Sequence, residues 1–134
     1  MSVLLDTHIA LWLLSGDERL PAAASLVIEK EQELFLSVAS LWEVVIKHQK
    51  APAVMPVSGH ELLSFCRQAS IQLLPILPAH VLAVPSLHRE ASAPPHHDPF
   101  DRLLIAQSKA ENMLLITHDR QFVAYGEPGV WVVS

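Results

Sequence analysis

The 134 residues are 51% hydrophobic and only 17% charged, with a formal net charge of −5. That balance suits a single domain spanning residues 1–134 with a real buried core, and it excludes a disordered chain. It also gives no general electrostatic attraction to nucleic acid, so contact with a polyanion needs cations or local Arg and Lys, while a basic protein partner suits the charge well.

No apolar run reaches the roughly 18 residues of a membrane span, and Met1 to Asp6 lacks the basic start and long apolar stretch of a signal peptide. The expectation is a cytoplasmic protein with no membrane association. The single cysteine, Cys66, excludes an internal disulfide, fits a reducing compartment and reads as a small helix-face hydrophobe.

In chain order, Val3-Leu4-Leu5 is a short buried strand ending at Asp6, followed by a helix through Ile9 and Leu11 to Leu14 that Ser15-Gly16-Asp17 closes. A second helix starts at Pro21 and runs to about Glu31. Leu34-Phe35-Leu36 is the next strand, and Ser37 caps a helix to about Gln49. A loop over 51–57 precedes Ser58, which with Glu61 forms a capping box for a helix to about Ala69. Gln72-Leu73-Leu74 is a third strand cut short by Pro75. Residues 78–87 read as helical and 91–97 as a loop. A helix runs from Pro99 to about Glu111, a strand over 113–116, a short helix from Arg120 to Tyr125, and a last strand over 130–133. Short, wholly apolar strands alternating with helices indicate a three-layer α/β/α fold, with a mostly parallel central sheet of about five strands.

The placement of the acids carries the functional reading. Of five aspartates, only Asp17 looks like an ordinary turn residue. In His96-His97-Asp98-Pro99-Phe100-Asp101-Arg102, Asp98 before Pro99 is a strong helix start, and taken alone Asp101 is a first-turn anion favoured by the helix dipole. Asp6 and Asp119 each follow an apolar strand at its carboxyl end, with a threonine beside them. They either cap the next helix or face a ligand, because open α/β sheets bind ligands outside the carboxyl ends of their strands where strand order reverses. If the strands near 3–5 and 113–116 are neighbours, Asp6, Asp101 and Asp119 converge. Glu43 lies on a mostly apolar helix and could belong to a capping box from Ser40 or an ion pair with Lys47. A helix start at Ser37 puts it in the second turn, too far in to cap, and favours a functional role.

Carboxylates gathered in one cleft repel, and without a counter-charge one of them must stay protonated. A divalent cation removes that penalty, and all-oxygen ligation selects Mg²⁺, with Mn²⁺ as substitute, over zinc. Such a site polarises a phosphoryl oxygen and acidifies water for phosphodiester hydrolysis without a covalent enzyme intermediate.

The chain resembles a PIN-domain ribonuclease of the VapC toxin type over nearly its whole length. The matching pieces are Leu4-Leu5-Asp6-Thr7-His8, Ser37-Val38-Ala39-Ser40-Leu41-Trp42-Glu43, His97-Asp98-Pro99-Phe100-Asp101-Arg102-Leu103-Leu104-Ile105-Ala106-Gln107 and Leu115-Ile116-Thr117-His118-Asp119. The third is fairly specific alone; order and spacing together make the signal strong. The resemblance implies a PIN-like fold and Mg²⁺- or Mn²⁺-dependent RNA cleavage. It makes Asp6, Glu43 and Asp101 the core acidic set, with Asp119 as a more variable fourth member. It further implies a cognate VapB-like antitoxin and a homodimer.

Asp98 is an outer ligand or a helix cap, with the cap favoured. Thr7 and Thr117 are candidates for substrate contact, for bonding a carboxylate or water, or for capping the backbone. Arg102 and Lys47 are candidate phosphate contacts, whereas Lys50, Arg89 and Arg120 read as solvated surface charge. His8 and His118 follow the acidic positions and are secondary candidates for phosphate. His96 and His97 are adjacent and cannot easily face one ion together. Trp12 and Trp42 read as core or partner-facing residues. The alternative function is a non-catalytic PIN-like module that binds RNA or protein. An aspartyl-phosphate phosphatase is disfavoured because Asp6-Thr7-His8 has no second aspartate two residues on.

Overall fold

The computed structural model describes residues 1–30 and 33–134. In chain order the elements are β1 (Ser2–Leu5), α1 (Thr7–Ser15), α2 (Ala22–Lys30), β2 (Glu33–Ser37), α3 (Val38–Lys50), α4 (Gly59–Gln68), β3 (Ile71–Leu74), α5 (Pro78–Ala83), α6 (Pro99–Ala110), β4 (Leu114–Thr117) and β5 (Val130–Val132). Two 3₁₀ segments, Val84–Ser86 and Arg120–Tyr125, complete it. The expected end of the second helix at Glu31 lies outside the described residues. The stretch read as one helix over 78–87 divides instead: α5 stops at Ala83 and a 3₁₀ turn containing Pro85 follows, since proline has no N–H for a continuing helix. Residues 120–125 likewise wind as 3₁₀ rather than α, closed by Gly126 in the left-handed region at φ 61°.

The sheet is five-stranded in the order β3-β2-β1-β4-β5, with every pairing parallel. From β1 the chain first builds outward through β2 to β3, then returns to place β4 on the other side of β1. The order therefore reverses between β1 and β4, which pair through Val3–Leu114, Leu4–Leu115 and Leu5–Ile116.

Alternation along the strands separates two cores. Val3, Leu5, Leu36 and Ile116 face one layer, packed against Ile9 of α1, Ile28 of α2, Val44 of α3 and the Leu62 and Cys66 side chains of α4. Leu4 and Leu115 face the other, against Leu104 and Ile105 of α6 with Phe122 and Tyr125. With both faces covered, the strands read as continuous apolar runs rather than an alternating pattern. The result is the three-layer α/β/α architecture.

Candidate metal and nuclease site

Four chain segments deliver acids to the reversal point. β1 ends at Leu5, and Asp6, extended at φ −63° and ψ 156°, caps α1 through its own side chain, which accepts from the Thr7 N–H at 2.8 Å. The backbone N–H of Asp6 bonds to Ile116 O at 2.9 Å, locking the turn to β4. Ser37 caps α3 by accepting from the Ala39 N–H, so Glu43 falls in the second turn of that helix and caps nothing. Asp98 caps α6, accepting from the N–H groups of Phe100 and Asp101 at 2.9 and 3.1 Å. Pro99 fixes the first helical residue, so Asp101 projects from the first turn. Asp119 follows β4 and accepts from the Gln121 N–H at 2.9 Å.

These acids meet. Asp6, Glu43, Asp98, Asp101 and Asp119 line one pocket of about 330 Å³, together with His8, Trp12, Lys47 and His118. Asp6 and Glu43 are 6% and 7% exposed. Thr7, which opens α1, and Thr117, which ends β4, are both buried and serve these carboxylates. The Thr117 hydroxyl donates to Asp6 Oδ2 at 2.6 Å and accepts from the Asp119 N–H at 3.1 Å. The Thr7 hydroxyl donates to Glu43 Oε1 at 2.7 Å, and Lys47 Nζ reaches Glu43 Oε2 at 2.8 Å. Thr7 and Thr117 thus hold the Glu43 and Asp6 carboxylates by hydrogen bonds, at 2% and 0% exposure and outside the residues that line the pocket.

The electrostatics follow from the crowding. Burial, reinforced by Asp6, Asp98, Glu43 and Asp119, pushes the Asp101 carboxyl from 3.8 up to about 8. Burial and mutual repulsion of this kind favour the protonated form of an acid in the cluster. Burial also raises Asp6, opposed by the donors from Thr117 and Thr7 and reinforced by Glu43. Burial alone would depress Lys47, but Glu43, Asp98 and Asp101 outweigh it and hold its ammonium above the ordinary value.

Arg102 and Arg89 differ from the sequence reading, whereas Trp12 packs against the core and Trp42 lies on the surface, as a core or partner-facing reading allows. Arg102 stays out of the pocket: one helical step beyond Asp101 turns it toward the end of α5, where Nη2 donates to Val84 O at 3.3 Å. Trp12 walls the pocket, edge-on to His118 at 5.2 Å, because α1 begins at Thr7 and carries position 12 back beside the end of β4. Trp42 is 58% exposed and stacks edge-on to Phe100. Arg89 is no free surface charge; its guanidinium donates to Gln121 O and Pro94 O and lies over the Tyr125 ring.

The residue that sequence reasoning underrated is His96. It is 7% exposed, with Nε2 3.1 Å from Asp101 Oδ2 and Nδ1 2.7 Å from the Tyr125 hydroxyl. Burial and the nearby Arg89 lower its pKa, which keeps the ring neutral. One ligand-capable atom each of His96, Asp101 and Asp119 lies within 4.8 Å of the others. No spacing rule links position 96 to 125, so only the fold exposes this pair. The set at the pocket is dominated by carboxylate oxygens, the donors a hard divalent cation takes.

Comparison with known proteins agrees with this geometry. The family model for the PIN domain matches residues 3–128. Ribonuclease VapC22 of Mycobacterium tuberculosis (strain ATCC 25618 / H37Rv) is 31% identical over 134 residues, covering 95% of this chain and 94% of its own. Among solved structures, the fold is shared with VapBC2 from Rickettsia felis bound to a DNA fragment from their promoter (TM-score 0.65, 15% identity, 99% of this chain and 98% of that one). It is shared equally with Mycobacterium tuberculosis VapC20, a Sarcin-Ricin loop cleaving toxin (TM-score 0.65, 16% identity, 96% and 98%).

Proposed function

The chain belongs to the PIN-domain family, among its VapC-type ribonuclease toxins, and from that premise we propose that it is an endoribonuclease whose acidic pocket cuts RNA phosphodiester bonds with the help of Mg²⁺, or of Mn²⁺ in its place. The observation that carries the reading is the convergence of Asp6, Glu43, Asp98, Asp101 and Asp119 on one pocket in which Lys47 is the sole Lys or Arg among the described residues. Burial, with the repulsion of the neighbouring acids added to it, holds a proton on Asp101 up to about 8, and that repulsion is the kind a divalent cation relieves.

In this reading Asp6, Glu43, Asp101 and Asp119 hold the cation, and Asp98 serves the helix as its cap. A bound Mg²⁺ or Mn²⁺ supplies charge neutralisation at the phosphodiester and an acidified water. Thr117 and Thr7 fix the Asp6 and Glu43 carboxylates, so their oxygens are aimed before substrate arrives. Lys47 pairs with Glu43 at 2.8 Å and leaves its exposed flank for a phosphate.

The same reading makes a VapB-like antitoxin the protein partner, supported by the VapBC2 complex from Rickettsia felis that shares the fold. A basic side chain of such a partner suits a pocket of this charge, and a homodimer completes the assembly. A cytoplasmic location belongs with it; among the described residues no helix is long and apolar enough to cross a membrane.

The test is an RNA cleavage assay with the purified chain. Cleavage is expected with Mg²⁺ or Mn²⁺. Chelation or Asp6→Asn should reduce it by more than about 100-fold, beyond the 10–100-fold typical of losing an outer partner of a metal site. Cleavage that persists in chelator and in Asp6→Asn would overturn the assignment.

A further inference from the structure

We propose that His96, itself held by Tyr125, is a positioning residue that aims the Asp101 carboxylate at the metal site; this rests on the metal-dependent reading above. The inference stands on a continuous chain of contacts. Tyr125 ends the 3₁₀ segment after β4, and its hydroxyl lies 2.7 Å from His96 Nδ1. We take the tautomer in which the Tyr125 hydroxyl donates, so the ring proton sits on Nε2, which lies 3.1 Å from Asp101 Oδ2. The imidazole is packed by rings, at 5.6 Å from Tyr125 and 6.0 Å from Phe122, so it has little freedom to turn away.

The loop carrying His96 is fastened independently. Arg89 donates to Gln121 O at 2.7 Å and Pro94 O at 2.9 Å, and the Glu90 N–H bonds to Ala124 O at 2.8 Å. All of these partners belong to the loop or to the segment that presents Tyr125. With Oδ2 engaged by His96, the other oxygen of Asp101 is left for the pocket that this residue lines. Outer partners of this kind, which orient a ligating carboxylate, are worth about 10–100-fold in metal affinity.

Mn²⁺ binding to the metal-free protein, followed by electron paramagnetic resonance, tests this without reference to RNA cleavage. Wild type is expected to bind Mn²⁺ and Asp101→Asn to lose it. His96→Leu should weaken binding by about 10–100-fold. His96→Gln, whose amide N–H can take the place of Nε2–H, should recover most of that loss. Tyr125→Phe, which keeps the ring and removes the hydroxyl, should weaken binding in the same direction and covers the case of a Leu variant that does not fold. If wild type binds no Mn²⁺, the metal-dependent reading itself fails. If wild type binds and Asp101→Asn does not, yet His96→Leu and Tyr125→Phe bind like wild type, the positioning role alone is overturned. Nitrogen hyperfine coupling to Mn²⁺ that vanishes in His96→Gln would make His96 a ligand and would also overturn it.

Discussion

The Thr117 hydroxyl and the Asp6 carboxylate, 111 positions apart in the chain, meet at 2.6 Å across the β1–β4 boundary. The same hydroxyl accepts from the Asp119 N–H, so one buried atom serves two of the pocket's acidic positions. Thr117→Val keeps the shape and removes both bonds. Stability should fall by about 1–3 kcal/mol in urea unfolding, the cost of leaving buried polar groups unpaired. Mn²⁺ affinity should fall with it, by about 10–100-fold, whereas Thr117→Ser should stay close to wild type in both.

The proton on Asp101 makes stability depend on pH. The folded state holds that proton up to about 8, while the unfolded chain releases it near 3.8. Between those values the folded state binds more protons, so its stability falls as pH rises across the window. Thermal unfolding of the metal-free protein should therefore occur at a higher temperature near the acidic end of that window than near the basic end. Asp101→Asn should flatten this dependence and raise metal-free stability at about pH 8. An unchanged slope in that variant would mean another group carries the linkage.

Cation binding should act in the opposite sense. A ligand at about 100 times its Kd adds roughly 2.7 kcal/mol to the folded state, near 10 °C in Tm for a domain of this size. Binding displaces the Asp101 proton, so the Mg²⁺-induced rise in Tm should grow with pH. In Asp101→Asn the rise should disappear, as scanning calorimetry with and without Mg²⁺ would show.

Ser37→Ala separates fold from site. Ser37 caps α3 and also donates to Gln107 Oε1 at 2.6 Å, in a position with no solvent exposure. Losing the cap and stranding a buried amide oxygen should cost about 2–4 kcal/mol in denaturant unfolding. Because Ser37 touches none of the pocket acids, Mn²⁺ affinity should change by less than about 3-fold, against the 10–100-fold expected for an outer partner.

Much of this was legible in the linear chain because it is local. Apolar strands, the Ser58–Glu61 box and the Asp98–Pro99 helix start each declare themselves within a few residues. Asp6 and Asp119 stood out because a carboxylate at the end of a buried strand has few structural uses. What stayed hidden depends on angle and on distance along the chain. Arg102 adjoins Asp101 yet leaves the pocket because one residue on a helix turns the side chain through about 100°. His96 needed a strapped loop and a tyrosine 29 positions away to acquire its role. Arg89 looked solvated because nothing in its neighbourhood predicts that the Tyr125 ring would lie beneath it.

The strand order has a consequence for synthesis. Asp6 precedes its partner Thr117 at the reversal point by 111 positions, and Asp119 follows later still. A nascent fragment that stops before β4 lacks Asp119 and has no Thr117 to bond Asp6. On the proposed reading, the acidic pocket is therefore assembled only once β4 and Asp119 have joined the segments that precede them.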